Sequence, residues 1–343
     1  MMIGSYTTKI DFEYIKDLPN QGANSKVFLG IDKQLKHTLV YKQIEIDKLN
    51  PTDYFKEASL VYANRHQYVV SVNYGCYDDN FIYIGMPYYI NGSIKDKITN
   101  GNSLSPKEVV RYAIQFLTGL NHIHSKGLIH FDIKPDNILI SDSNEALISD
   151  FGLTKNMVAG KAKPDKVYTL HITPEHLAGL ESDIRSDIYQ SGLTMYRMLN
   201  GYGFLREQSK GVTMNDIITG KFPDRNLYMP HISVPLKKIV NKCLSPNPVD
   251  RYDNVIQLTN ALASIPNSPN LEWKYEKVSM SEIWTRPKDE RTKYIVKVDK
   301  SLNYSIFTTR KNSHSEQKVS KYCFNSLSKS EKDKQLKDIL SKL

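Results

Sequence analysis

HFDIKPDNILI at 130–140, followed by SDFG at 149–152, decides how this chain is read. Lys134 and Asn137 stand two and five residues beyond Asp132, and Asp150 opens an Asp-Phe-Gly triplet 18 residues further on. Phosphoryl transfer asks a protein for positioned metal, charge stabilisation and a group to receive a hydroxyl proton. Asp132 can orient and accept from an attacking hydroxyl, and Lys134 can reach phosphoryl oxygens. Asn137 and Asp150 offer the hard oxygen donors that Mg²⁺ takes. A lone Asp-x-Lys pair is commonplace on solvated surfaces. Eight specified positions at fixed offsets match by chance with odds on the order of 10⁻⁸ at average residue usage.

Working outward, residues 11–90 read as short strands around one helix. KVFLGID, HTLVYKQI, VVSVNYG and FIYIGM have strand-like patterns, and PTDYFKEASLVYAN between them has helical spacing, with Thr52 or Asp53 as cap. Helices dominate from residue 105. SPKEVVRYAIQFLTGLNHIHSKG predicts a long amphipathic helix with Ser105 at the cap, Pro106 at the first helical position and Gly127 just past its end. SDIYQSGLTMYRMLNG and DNVIQLTNALASI follow as helices. A strand-rich part followed by a helix-rich part predicts two lobes of α+β type.

The motif set resembles the eukaryotic-type, or Hanks-type, serine/threonine protein kinases. That resemblance implies a bilobal α+β fold, with a β-rich N-lobe at about 11–86, a helical C-lobe at about 87–265 and a C-terminal extension at 266–343. It implies ATP and Mg²⁺, a protein substrate with a serine or threonine acceptor, Asp132 and Lys134 as catalytic residues, and Asn137 and Asp150 as metal ligands. Lys42 would meet the ATP phosphates, held by Glu57. The phosphate-covering loop departs from the family pattern: Asn20, Gly22 and Ser25 stand where three glycines are usual, with Val27 in register 15 residues before Lys42. Asn tolerates left-handed backbone, so Asn20 can substitute in part. Met86, Pro87 and Tyr89 would form the adenine hinge, and Val27, Val40 and Leu139 would sandwich the purine. Ser93 falls at the ribose position, with a helix cap as an equal alternative. Val61, Val72, His130 and Phe151 would stack into the spine of the active state.

The resemblance further implies that Asp187 anchors the catalytic loop and that Arg251 pairs with Glu175 of Thr173-Pro174-Glu175. Small-molecule kinases generally lack that set, which favours a protein substrate. Lys134 points to serine and threonine, although Tyr168 and Thr169 blur the register of the supporting threonine. Phe131 stands where many regulated kinases carry arginine, so activation-loop phosphorylation is not expected to be a strict requirement. The alternatives are a pseudokinase scaffold, which the altered glycine loop favours, and a small-molecule kinase.

The 343 residues carry a net charge of +9, unevenly spread. Residues 1–265 hold 29 Lys and Arg against 27 Asp and Glu, whereas 266–343 hold 17 against 10. That break marks a boundary near 265. The excess is too dilute to indicate nucleic acid. This basic extension reads as a docking surface for a partner, a patch for nucleic acid or anionic membrane, or a solubilising appendage with autophosphorylation sites. Both tryptophans lie there, with a strand pair predicted at KYIVKVDKSLNYSIFTT turning near Asp299–Asn303 and a helix at EKDKQLKDILSKL. No apolar run approaches the roughly 18 residues of a membrane span, and the first residues lack a secretory pattern. Cys76, Cys243 and Cys323 are far apart, which fits a reduced, cytoplasmic setting. Ser341-Lys342-Leu343 matches a peroxisomal address, read here as coincidence in a tail rich in those residues.

Overall fold

The computed structural model describes residues 10–19, 25–46, 59, 65–163, 169–300 and 303–343. Asn20, Gly22, Glu57, Val61 and Tyr168 lie outside these, as does nearly all of the helix expected at 51–64.

The first lobe is a five-stranded antiparallel sheet in the order β1-β2-β3-β5-β4, from β1 (Phe12–Asp17), β2 (Ser25–Asp32), β3 (His37–Glu45), β4 (Tyr74–Tyr77) and β5 (Phe81–Pro87). Strand alternation divides its residues between two faces. Phe28, Leu39 and Tyr41 pack with Phe12, Tyr74 and Tyr83 into a small aromatic core on one face. Val27, Val40, Lys42 and Met86 fall on the other, with Val27 opposite Lys42 and Val40 opposite Met86 in the ladders. One departure from expectation is VVSVNYG at 69–75, where sheet pairing begins only at Tyr74. Val69 instead bridges Ile148 of the second lobe, and Val70 N–H donates to the Ile148 carbonyl. Val69, Val70 and Val72 are all buried, so their apolar run reflects a crossing between lobes and not a half-exposed strand.

The second lobe is helical: α1 (Ile94–Ile98), α2 (Pro106–Ser125), α3 (Pro174–Leu177), α4 (Ile184–Asn200), α5 (Tyr202–Gln208), α6 (Met214–Ile218), α7 (Val234–Cys243) and α8 (Val255–Ala263). Ser105 and Glu108 close a capping box on α2, Pro106 takes the first position, and Gly127 follows the helix end at φ +74°. These stop signals act as the sequence suggests. α4 runs through the middle of the lobe and is buried on nearly every side. Short strands β6 (Leu128–Ile129), β7 (Ile138–Ile140), β8 (Ala146–Ile148) and β9 (Lys155–Asn156) pair as β6-β9 and β7-β8.

The extension folds as a six-stranded antiparallel sheet closed by a helix. Strands β10 (Lys274–Val278), β11 (Ser281–Pro287), β12 (Lys293–Asp299), β13 (Tyr304–Lys311) and β14 (Glu316–Lys318) run in order, and β15 (Phe324–Leu327) also pairs with β13. The β12–β13 pair is the one expected, whereas the flanking strands were not legible. Helix α9 (Lys329–Lys342) lays Leu336, Ile339 and Leu340 against Trp273, Trp284, Val296, Val298 and Ile306. The Trp273 indole N–H donates to the Leu340 carbonyl at 3.0 Å. Ser341 and Lys342 belong to the last turn of α9, and Leu343 packs on the same core.

Candidate active site

The segment after β6 carries His130, Phe131, Asp132 and Ile133 through a sharp turn. Phe131 sits at φ +65°, a left-handed backbone that a bulky residue adopts at a cost of about 1–3 kcal/mol. Asp187, in the first turn of α4, holds this turn: its carboxylate accepts from the N–H groups of His130 and Phe131, each at 2.8 Å, and meets His124 Nε2 at 2.8 Å. The expected anchoring role of Asp187 is thus seen directly.

Asp132 is buried and accepts from Lys134 Nζ at 2.8 and 2.9 Å and from Asn137 Nδ2 at 2.7 Å. Asn137 Nδ2 also donates to the Asp132 carbonyl at 3.0 Å. Both hydrogen bonds of this amide run through nitrogen, which leaves Oδ1 as a hard donor. On the far wall, Lys42 Nζ meets Asp150 Oδ1 at 3.3 Å. The Lys42 ammonium beside it, reinforced by Lys134, holds the Asp150 carboxyl down at about 2, so it is ionised across the physiological range. Asp150 too is left-handed, at φ +62°, and its carboxylate accepts from Gly152 N–H. Phe151 turns inward and meets the His130 ring edge-on at 5.2 Å; with buried Val72, these are the described members of the predicted stack.

Between the lobes lies a cleft of about 510 Å³, of the size that holds a small-molecule ligand. Its apolar walls include Val27 and Val40 above and Leu139 below; Met86, Pro87 and Tyr89 form its back, and Lys42 and Asp150 its inner end. Ser25 and Ser93 also line it. Ser93 is the cap of α1, donating its hydroxyl to Asp96 at 2.8 Å, so the helix-cap alternative is realised at a position that also faces the cleft.

Glu175 and Arg251 form a buried bidentate pair at 2.9 and 2.7 Å. Burial alone would push the Glu175 carboxyl up, but the bonds from Arg251 and Ser186 outweigh it and hold the carboxyl below its usual value. Sequence reasoning passed over a further buried set: His171, Gln190, Thr194 and Arg197. For the α4 members a signal was available, because 187, 190, 194 and 197 recur at helical spacing as polar residues among mostly apolar neighbours.

An antiparallel sheet hinged onto a helical lobe, with an ammonium, two carboxylates and an amide converging beside a nucleotide-sized cleft, defines a bilobal kinase fold. A family model for the protein kinase domain matches residues 18–262, and the chain belongs to that family. It is similar to a probable serine/threonine-protein kinase of Clostridium acetobutylicum, 25% identical over 262 residues, covering 72% of this chain and 39% of that protein. It is also similar to 3-phosphoinositide-dependent protein kinase 1 of Arabidopsis thaliana, 28% identical over 285 residues, 78% of this chain and 57% of that protein. A third relative is the serine/threonine-protein kinase PknB of Mycobacterium leprae, 26% identical over 259 residues, 71% of this chain and 41% of that protein. The chain thus spans about two-fifths to three-fifths of the length of these relatives.

Proposed function

We propose that this chain transfers the γ-phosphoryl group of ATP to serine or threonine hydroxyls of a protein, with residues 11–265 as the catalytic unit. The observation that carries the reading is that Lys42 and Asp150 pair at the inner end of an apolar cleft, while Lys134 and Asn137, bonded to Asp132, stand near enough for the Lys134 charge to act on Asp150. In this reading the purine lies between Val27, Val40 and Leu139, meeting backbone groups of Pro87 and Tyr89. Lys42 aims its ammonium at the phosphates. Asp132 orients the acceptor hydroxyl and receives its proton, and Lys134, already bonded to Asp132, balances charge on the transferred group.

The donor set fits Mg²⁺: an ionised carboxylate at Asp150 and the amide oxygen of Asn137, both hard ligands. Bound there, Mg²⁺ would neutralise phosphate charge. Serine and threonine as acceptors rest on Lys134 and on the relatives being serine/threonine-protein kinases by name. A cytoplasmic setting is part of the proposal, supported by three unpaired cysteines. Neither the pseudokinase nor the small-molecule alternative is favoured by a specific observation. The Lys42, Asp132, Asn137 and Asp150 set speaks against the first, and the buried Glu175–Arg251 pair against the second.

Radiolabelled ATP, Mg²⁺ and myelin basic protein provide the test, with Asp132→Asn as the control. Label should enter serine or threonine of the protein, and the variant should lose at least about 100-fold in kcat. Nucleotide binding with no transfer by the wild-type chain would instead establish the scaffold reading.

A further inference from the structure

Seven backbone polar groups between His130 and Ile133 are held by side chains. Asp187 takes the N–H of His130 and Phe131, His130 Nδ1 takes that of Asp132, and Asn137 reaches the Asp132 carbonyl. The Ile133 carbonyl accepts from His171 Nδ1 at 3.0 Å and from Thr194 Oγ1 at 3.2 Å. The remaining two groups belong to Gln190. Its Oε1 accepts from Ile133 N–H at 3.0 Å, while its Nε2 donates to the Phe131 carbonyl at 2.8 Å. The second Nε2 hydrogen goes to the His171 carbonyl at 3.1 Å, so this one planar amide has both donors and its acceptor engaged.

We propose that Gln190 is the positioning residue for Asp132, and that it locks the segment leading into Pro174-Glu175 to the catalytic loop without any phosphate. The proposal rests on the phosphoryl-transfer reading above. Gln190 grips the peptide groups on both sides of Asp132. Phe131 is held left-handed between Asp187 and Gln190; releasing its carbonyl would let that strained residue relax and rotate the peptide that aims the Asp132 carboxylate. The Lys134 and Asn137 contacts with Asp132 would go with it.

The same amide ties in His171, which lies in the chain between the activation segment and α3. Burial and the Arg197 guanidinium keep that imidazole neutral, its Nδ1–H donating to Ile133 and its Nε2 accepting from Arg197 at 2.8 Å. In kinases regulated through an arginine next to the catalytic aspartate, a phosphate makes this connection from outside. Here Phe131 occupies that place, and the connection runs through Gln190 and His171, both fully inside the lobe. A buried amide costs desolvation that leucine or methionine of similar volume would avoid, so its three bonds point to geometry and not to packing.

Two near-isosteric variants of the full chain test this. Gln190→Met removes all three bonds; Gln190→Glu keeps the acceptor for Ile133 N–H but sets an oxygen against the carbonyls of Phe131 and His171. With myelin basic protein as substrate, each should lower kcat by roughly 10–100-fold, the loss expected from misplacing a reacting group by an ångström. KM for ATP and the affinity for the fluorescent nucleotide mant-ADP with Mg²⁺ should stay within about threefold, because Gln190 lies away from the cleft walls. Hydrogen exchange across 128–140, read by mass spectrometry, should quicken at least about tenfold. Turnover within twofold of wild type, a parallel fall in kcat and nucleotide affinity, unchanged exchange, or failure of both variants to fold would each overturn the proposal, the last by making Gln190 a plain scaffold residue. A wild-type chain inert on this substrate would defeat the phosphotransfer reading instead, and the exchange comparison alone would then judge the clamp.

Discussion

The helical lobe and the C-terminal module bury their interiors in opposite ways. In the lobe, the interior holds His130, Asp132, His171, Glu175, Asp187, Gln190, Thr194, Arg197 and Arg251, tied into continuous hydrogen-bond networks. In the module, the core is Trp273, Tyr275, Trp284, Val296, Val298, Ile306, Leu336, Ile339 and Leu340, and its buried polar residues among those described are Arg286, Thr308 and Lys332. Burying polar groups is costly unless every partner is present. The lobe accepts that cost where a carboxylate must be aimed, whereas the module obtains stability from aromatic and aliphatic area with few conditions attached. The comparison therefore predicts that the lobe is brittle to loss of one polar partner and that the module is not coupled to that loss.

The largest expected effect comes from breaking the Glu175–Arg251 pair. Arg251 lies under the Tyr189 ring and also donates to the carbonyls of Ser245, Arg185 and Pro246. Arg251→Met would strand a carboxylate in the interior, at a cost of about 3–5 kcal/mol. Both tryptophans belong to the module, so their fluorescence reports its unfolding, while far-UV circular dichroism is dominated by the helical lobe. In urea, the dichroism midpoint should fall and the fluorescence midpoint should hold. A common shift of both would show one cooperative unit and break the comparison.

A smaller effect sharpens it at the seam. The Trp284 indole N–H donates to His231 Nδ1 at 3.1 Å, joining the module to the lobe just before α7. Burial, helped by the charge of Lys237, pushes the His231 imidazole down to about 3. The folded protein thus holds this histidine neutral, while an unfolded chain protonates it near 6.5. Its contribution is complete above about pH 6.5 and is lost as the pH falls toward 3, at about 1.4 kcal/mol per pH unit. A protonated Nδ1 also cannot accept from the indole. The tryptophan-detected midpoint should decline between pH 6.5 and 5, and His231→Gln, which keeps an acceptor, should flatten that decline. An unchanged slope in the variant would remove His231 from the account.

How legible these regions were follows from the same contrast. Asp132, Lys134, Asn137 and Asp150 were readable because chemistry fixes residue types at fixed offsets, and the structure brings them together. Lys42, Met86, Pro87 and Tyr89 came from the family resemblance, and the structure sets all four along the cleft. The helical spacing of 187, 190, 194 and 197 marks Gln190 as one of a polar row, but its role as a clamp is a contact across 59 residues, between α4 and Phe131, which that spacing does not reveal. VVSVNYG was misread as strand because a buried connector and a buried strand carry the same apolar run. In the module, β12 and β13 alternate cleanly, but β14, EQK, is exposed at all three residues and β15 is too short for a pattern. Their pairing is decided by β13, which neither sequence reveals.

The smallest effect concerns the charges along the seam. Lys107 of α2 pairs with Glu272, and Lys274 of β10 pairs with Glu108, which also serves as the capping-box residue of α2. These pairs look like the glue between lobe and module, but the lysines are more than half exposed. Exposed pairs of this kind contribute about 0–1 kcal/mol and are screened by salt. The main-chain bonds from Ser103 N–H to Tyr275 and from Lys277 N–H to Gly101, together with the Trp284–His231 contact, are better placed to hold the seam. Removing the lysines, and not the glutamates, spares the α2 cap. Lys107→Met with Lys274→Met should therefore shift the tryptophan-detected midpoint by less than about 1 kcal/mol, and raising salt from 50 to 500 mM should leave the wild-type midpoint nearly in place. A larger loss, abolished by salt, would mean that the two regions are joined electrostatically and that the apolar module depends on charge after all.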